Sequence, residues 1–208
     1  APDVKKKDST ASNSEESVKP DQGGKWATFV NYIREGFVHV LPLGLDHILF
    51  ILGIFLFSRS WRNLIWQVTM FTVAHTITLG LASAGKVTVP GSVVEPIIAA
   101  SIAVIALENI FHPKFSKWRL VVVFVFGLIH GLGFAGALGD LGISRNLFMI
   151  SLLGFNVGVE VGQLAVVAIA FALTFWMKDA PFRKFVVIPV SILISLFGIW
   201  WTFERIFL

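Results

Sequence analysis

Six apolar stretches, each near the roughly 20 residues an α-helix needs to cross a bilayer, follow one another along this chain. They fall at about 37–58, 62–84, 92–111, 117–138, 146–177 and 183–207. Such segments have few fold choices, because in hydrocarbon every backbone N–H and C=O must be bonded within the protein. The expectation is an all-α integral membrane protein with six transmembrane helices. The connections are short and contain Arg59, Arg62, Gly85, Pro113 and Pro181, so no soluble domain fits between them. Charged residues make up 14% of the chain and mean hydropathy is +0.78. A soluble domain would be about 25% charged.

The charge that exists is concentrated at one end. Residues 1–35 hold twelve of the thirty Asp, Glu, Lys and Arg residues, so the net charge of +4 is partly that of a tail. It gives no case for nucleic-acid binding. Residues 1–24 have little to bury and are expected to be a disordered extracytoplasmic tail. In Lys25 to Phe37, Trp26, Phe29, Val30, Ile33 and Phe37 recur at helical spacing. That pattern predicts a short interfacial amphipathic helix over 25–36, ahead of a transmembrane domain over 37–208.

Orientation follows from the connections. The first, third and fifth carry Arg59, Arg62, Lys114, Lys117, Arg119, Lys178, Arg183 and Lys184; the second and fourth carry only Lys86 and Arg145. The positive-inside rule puts the odd connections in the cytoplasm and both termini outside. The basic tail fits if it follows a cleaved secretory signal, which an Ala at position 1 leads one to expect. The expected location is a bacterial inner membrane. The chain has no cysteine, which excludes disulfides and thiolate metal ligands.

Against this apolar background the ionisable residues stand out, since a charge at membrane depth is costly and usually functional. Asp46 and His47 sit near the middle of the first stretch, with His39 seven residues before Asp46. Pro42 and Gly44 between them could loosen the helix and free backbone carbonyls. The second stretch has Thr69, Thr72, His75 and Thr76; the third has Glu95, Ser101, Glu108 and Asn109. The fourth has His130, and the fifth has Asn156, Glu160 and Gln163 on one face. Counted from the segment ends, Asp46, His47, His75, His130, Asn156 and Glu160 share the midplane. His39 and Glu95 lie toward the outside, Glu108 and Asn109 toward the cytoplasm.

One reading is a hydrogen-bond network that fixes helix register. The other is a metal or proton site, because neutral imidazoles with carboxylates suit nickel, cobalt, zinc or iron. In that reading Asp46, His47, His75, His130 and Glu160 are the ligands. His39, Thr72, Thr76, Glu95, Glu108, Asn109, Asn156 and Gln163 line the path or support it. Gly154, Gly158 and Gly162, and Gly127 with Gly131, form small-residue stripes that allow close helix approach. No GxSxG, P-loop, HExxH or GxGxxG motif is present. A zinc-dependent hydrolase within the membrane stays compatible with three histidines and a carboxylate base.

GLDHILF (44–50), FTVAHTITL (71–79), VEPIIAASIAVIALEN (94–109), FGLIHGLGFA (126–135) and FNVGVEVGQ (155–163) resemble, in the same order, motifs of the HupE/UreJ family. These are membrane proteins associated with hydrogenase and urease gene clusters and regarded as nickel permeases. The resemblance covers about residues 36–208 and is closest to the branch with the DH, AHT and HGLGFA motifs. It implies that Asp46, His47, His75, His130 and Glu160 belong to the functional site. The expected function is therefore a permease for a divalent transition metal, with nickel favoured by the resemblance. The alternatives are an intramembrane zinc hydrolase and a non-catalytic subunit of a larger membrane complex. The expected partners are the lipid bilayer, the metal ion and a homo-oligomer or larger complex.

Overall fold

The computed structural model describes residues 24–111, 117–134 and 146–208. Among them the regular structure is helical throughout: α1 (Gly24–Val40), α2 (Leu45–Phe57), α3 (Trp61–Ser83), α4 (Gly91–Phe111), α5 (Lys117–Gly133) and α6 (Phe148–Ala172). The last helix, α7 (Asp179–Phe207), contains one π-helical turn at Arg183–Val187. Four of these helices, α3, α4, α6 and α7, are long and apolar enough to cross a membrane. The pair α1 and α2 makes a fifth if it is one span broken by a 74° bend. This is the architecture of a multi-pass membrane protein. The six expected spans are thus not all present as single helices. The expected end of the fourth, at 138, lies outside the described residues, as does the tail over 1–23.

The largest departure from expectation concerns residues 24–58. The boundary placed at 36–37 falls inside α1, which runs unbroken to Val40, and the break comes at Leu41–Gly44 instead. Only part of the apolar face that the spacing suggested is used by α1, with Phe29, Ile33 and Phe37 half-buried. Trp26 and Val30 are exposed, while Thr28, Tyr32, Gly36 and Val40 are buried. The helix lies along α6 for its whole length. Phe29 meets Gly154, Ile33 meets Gly158, and Phe37 and Val40 meet Gly162, so the two helices run parallel. Bulky side chains have no reason to turn inward when the surroundings are as apolar as the interior. The buried face is selected by how closely backbones can approach.

The same rule explains the other tight pairs. A Cβ on Gly127 of α5 would stand 2.6 Å from the Phe71 carbonyl oxygen of α3, and one on Gly198 of α7 would stand 2.7 Å from the Ala103 nitrogen of α4. Three glycine-mediated pairs, α1 with α6, α3 with α5, and α4 with α7, surround α2, which packs against α3, α4, α6 and α7. Phe50, Ile51, Ile54 and Phe55 of α2 accordingly fill the centre of the core. On the outside, α7 exposes Leu193, Leu196, Phe197, Trp200 and Phe203, an apolar surface suited to lipid.

Candidate metal centre

The break between α1 and α2 exists because of its sequence. Pro42 lacks the N–H that a continuing helix needs. Gly44 is placed where a Cβ would collide with the His39 carbonyl oxygen, so no larger residue lets the chain fold back there. The new helix begins with Asp46 in its first turn, where unpaired N–H groups and the helix dipole favour a carboxylate. Asp46 Oδ1 accepts from the His47 backbone N–H at 2.8 Å and lies 3.0 Å from His47 Nδ1.

The break brings His39, at the end of α1, against His47, at the start of α2, with ring centroids 4.7 Å apart. His75 of α3 and His130 of α5 complete the group, their rings 5.9 and 5.2 Å from that of His47. Donor atoms of His39, His47 and His75 all lie within 4.8 Å of one another, and so do those of Asp46, His47 and His130. His47 belongs to both triads. Four imidazoles from four helices thus meet, and His39 is a member of the cluster rather than an outer step before it.

Neighbours fix the orientation of three of these rings. His47 Nδ1 donates to Asp46. The Asn156 amide nitrogen donates to the Leu152 carbonyl at 2.8 Å, which turns its Oδ1 toward His75 Nδ1 at 3.2 Å. His75 therefore carries its proton on Nδ1. The Ser101 hydroxyl donates to the Ile98 carbonyl at 2.7 Å and so accepts from His130 Nε2 at 3.0 Å. The remaining ring nitrogens, Nε2 of His47 and His75 and Nδ1 of His130, are then lone-pair acceptors. These three and His39 Nε2 are buried with no hydrogen-bond partner among the described residues. A buried polar atom without a partner is rare and calls for an explanation. Four in one cluster, three of them oriented through the opposite ring nitrogen by a carboxylate, an amide and a hydroxyl, have the pattern seen around ligating histidines.

Other expected residues fall elsewhere. Glu160 does not reach the cluster; it is half-buried between α6 and α3, accepting from the Thr69 hydroxyl at 2.8 Å. Thr72 bonds to the Val68 carbonyl and, at 3.0 Å, to Gln163 Oε1, and Thr76 bonds back to the Thr72 carbonyl. Glu95 is exposed, and its backbone carbonyl accepts from Arg205 at 2.9 Å. Glu108 and Asn109 are held by Arg119, which the loop count had treated as a cytoplasmic charge. Its side chain is 0% exposed, 2.6 Å from Glu108, 2.8 Å from Gln67 Oε1 and 3.3 Å from Asn109 Oδ1, with its guanidinium 3.8 Å over the Phe57 ring.

Three contributors were not given their part by the sequence. Ser101 stood among the polar residues of the third stretch, and only the approach of α5 gives it a histidine. Arg119, next to Trp118 in a basic stretch, carries no signal of burial. Glu35 falls between the apolar positions of the helix expected over 25–36. It lines a cavity of about 290 Å³ together with His39, Gly44, Asp46, Phe134 and Phe155. The spacing of Glu35, His39 and the Pro42 break, one turn apart on one face, is the one hint the sequence held. That cavity reaches the cluster from the end of the bundle that carries Leu43 and Phe134. On the opposite side Phe50 and Phe71, both fully buried, close against His130, with centroids 5.1 Å from its ring.

The family model described as HupE / UreJ protein matches residues 14–205, nearly the whole chain. No curated protein and no solved structure matches the chain.

Proposed function

The chain belongs to the HupE/UreJ family, which is associated with metal transport or accessory function, and from that premise we propose that it is a membrane permease for a divalent transition-metal ion. The carrying observation is the four buried imidazole nitrogens without partners at the helix break. A network whose only task was to lock helices together would use these atoms in hydrogen bonds with one another. Here the paired ring nitrogens of His47, His75 and His130 are satisfied by Asp46, Asn156 and Ser101 rather than by one another, and the other nitrogen of each is left as a ligand.

His39, His47, His75 and His130 with Asp46 offer nitrogen donors and one carboxylate, a set for borderline ions, with nickel first and zinc, cobalt or iron as competitors. A broken helix near mid-depth is a recurring transporter device, since it supplies free backbone carbonyls beside the side-chain ligands. The ion enters through the cavity beside Glu35, His39 and Asp46. Glu35 gathers the ion there, and not Glu95, which the sequence placed toward the outside of the path. Two overlapping triads sharing His47 let an ion be held by one and then the other, which favours passage over permanent retention. With the odd connections cytoplasmic, the cavity faces outward and the phenylalanines below His130 close the inward side.

Nickel uptake by cells or proteoliposomes carrying the protein tests this reading. His47→Ala and His130→Ala are expected to abolish uptake while the protein still reaches the membrane. Uptake at the parent rate in both variants removes the proposal.

A further inference from the structure

The direct way inward from the histidine cluster is blocked twice. Phe50 and Phe71 pack with tilted rings, centroids 5.0 Å apart, beneath it, both 0% exposed. Beyond them the Glu108–Asn109 position, the obvious inner carboxylate, is filled by the Arg119 guanidinium. Arg119 is charged at any ordinary pH, so it both consumes the Glu108 charge and repels a second cation. Asn109 is further tied to the Gly53 carbonyl at 2.9 Å and to Ser191 at 3.3 Å. Among the described residues the Glu108 charge is thus matched by Arg119, and the Asn109 amide is bonded at both its oxygen and its nitrogen.

A second polar column leaves the cluster in another direction. On α3 it runs His75, Thr72, Thr69 at three-residue steps. On α6 it runs Asn156, Glu160, Gln163 at i, i+4 and i+7. The two rows are bonded across the seam: His75 with Asn156, Thr72 with Gln163 at 3.0 Å, Thr69 with Glu160 at 2.8 Å. Gln163 is fully buried and its amide nitrogen has no partner among the described residues, so the amide can turn without losing a bond to that nitrogen. Among the described residues the Glu160 carboxylate has one side-chain partner, the Thr69 hydroxyl. Neither α6 nor the part of α3 after Arg62 carries a lysine or arginine. An intramembrane carboxylate without a basic partner is the reverse of the Glu108 case: it attracts a cation and nothing on its two helices competes.

We infer that an ion released from the histidine cluster leaves along the α3–α6 seam, through the crossed pairs Thr72–Gln163 and Thr69–Glu160, and not past Glu108 and Asn109. This route rests on the transport reading above and names residues beyond the binding cluster. The donors change along it from imidazole nitrogen to hydroxyl, amide and carboxylate oxygen. Oxygen ligands hold a borderline ion less tightly than imidazole, which suits release.

The natural absence of cysteine makes the test direct. Thr72→Cys, Gln163→Cys and Asn109→Cys are made singly in the full chain, reconstituted in liposomes, and exposed to a membrane-impermeant cationic thiol reagent. The expected result is reaction at 72 and 163, slowed by added nickel, with 109 unreactive. Reaction at 109 with silence at 72 and 163 overturns the route, and so does silence at all three. Separately, Glu160→Gln is expected to keep the nickel affinity of the purified, monodisperse protein within about twofold while uptake falls about tenfold or more, as for loss of a path residue rather than a binding ligand. Full uptake by Glu160→Gln beside a dead His47→Ala sinks the route alone. Full uptake by His47→Ala sinks the transport reading, whatever Glu160→Gln does.

Discussion

Removing one hydroxyl should report on the whole candidate centre. In Ser101→Ala the His130 Nε2–H loses its acceptor while every ring nitrogen facing the cluster is untouched. Ser101 and His130 are both 1% exposed, so water does not replace the lost partner at no cost. A buried donor left without a partner costs about 1–3 kcal/mol. The metal-free protein can escape that penalty by moving the proton to Nδ1, the other tautomer. The metal-bound protein cannot, because Nδ1 is then a ligand. The penalty therefore appears in the binding equilibrium, as a loss of about 5- to 140-fold in affinity for nickel or zinc, since about 1.4 kcal/mol is tenfold. Fold stability should change little, because alanine is the better helix former. The assay is metal titration of the detergent-purified protein, paired with nitrogen-15 NMR of the histidine rings. The parent should show His130 protonated on Nε2, and the variant should populate the other tautomer. Parent affinity in Ser101→Ala, beside an abolished His130→Ala, would refute the orienting role and the tautomer argument with it.

Gly158→Ala puts a methyl group against the Ile33 backbone carbonyl where α1 and α6 touch; thermal unfolding in detergent should show a loss of about 1–3 kcal/mol, and none if the pair is loosely packed. Glu108→Gln leaves buried Arg119 with no counter-charge, and the expected loss is about 3–5 kcal/mol, toward the lower end because the Glu108 side chain is 21% exposed. Arg119→Met combined with Glu108→Gln should be less destabilised than Glu108→Gln alone, and the opposite order in a denaturation series would contradict a buried ion pair. Glu35→Gln should raise the metal concentration for half-maximal uptake severalfold without changing the maximal rate, whereas Glu95→Gln should change neither; equal effects of the two would remove Glu35 from the entry.

How much of this was legible before folding can be followed residue by residue. The membrane setting was plain, since a chain with this hydropathy and so few charges has no soluble alternative. Close helix packing at Gly154, Gly158, Gly162, Gly127 and Gly131 was legible too, because small residues at four-residue spacing have one common use in a bilayer. Asp46, His47, His75 and His130 were visible as a group, since each is an ionisable residue at a shared depth and depth can be counted along a sequence.

Rotation and direction cannot be counted that way. Depth placed Glu160 with the histidines, yet it is Asn156 that meets His75, and Glu160, one turn further along the same face of α6, meets Thr69. His39 read as a residue above the site on a continuing helix. The bend at Leu41–Gly44 folds α1 back so that residues eight apart in sequence put their rings in contact. Arg119 read as a surface charge because its partners, Gln67, Glu108 and Asn109, come from two other helices. Sequence by itself determined which residues are too polar to face lipid, because that depends on transfer energy alone. Which of them meet was decided by the tertiary structure, because a meeting depends on the azimuth of each helix and on where the first one breaks.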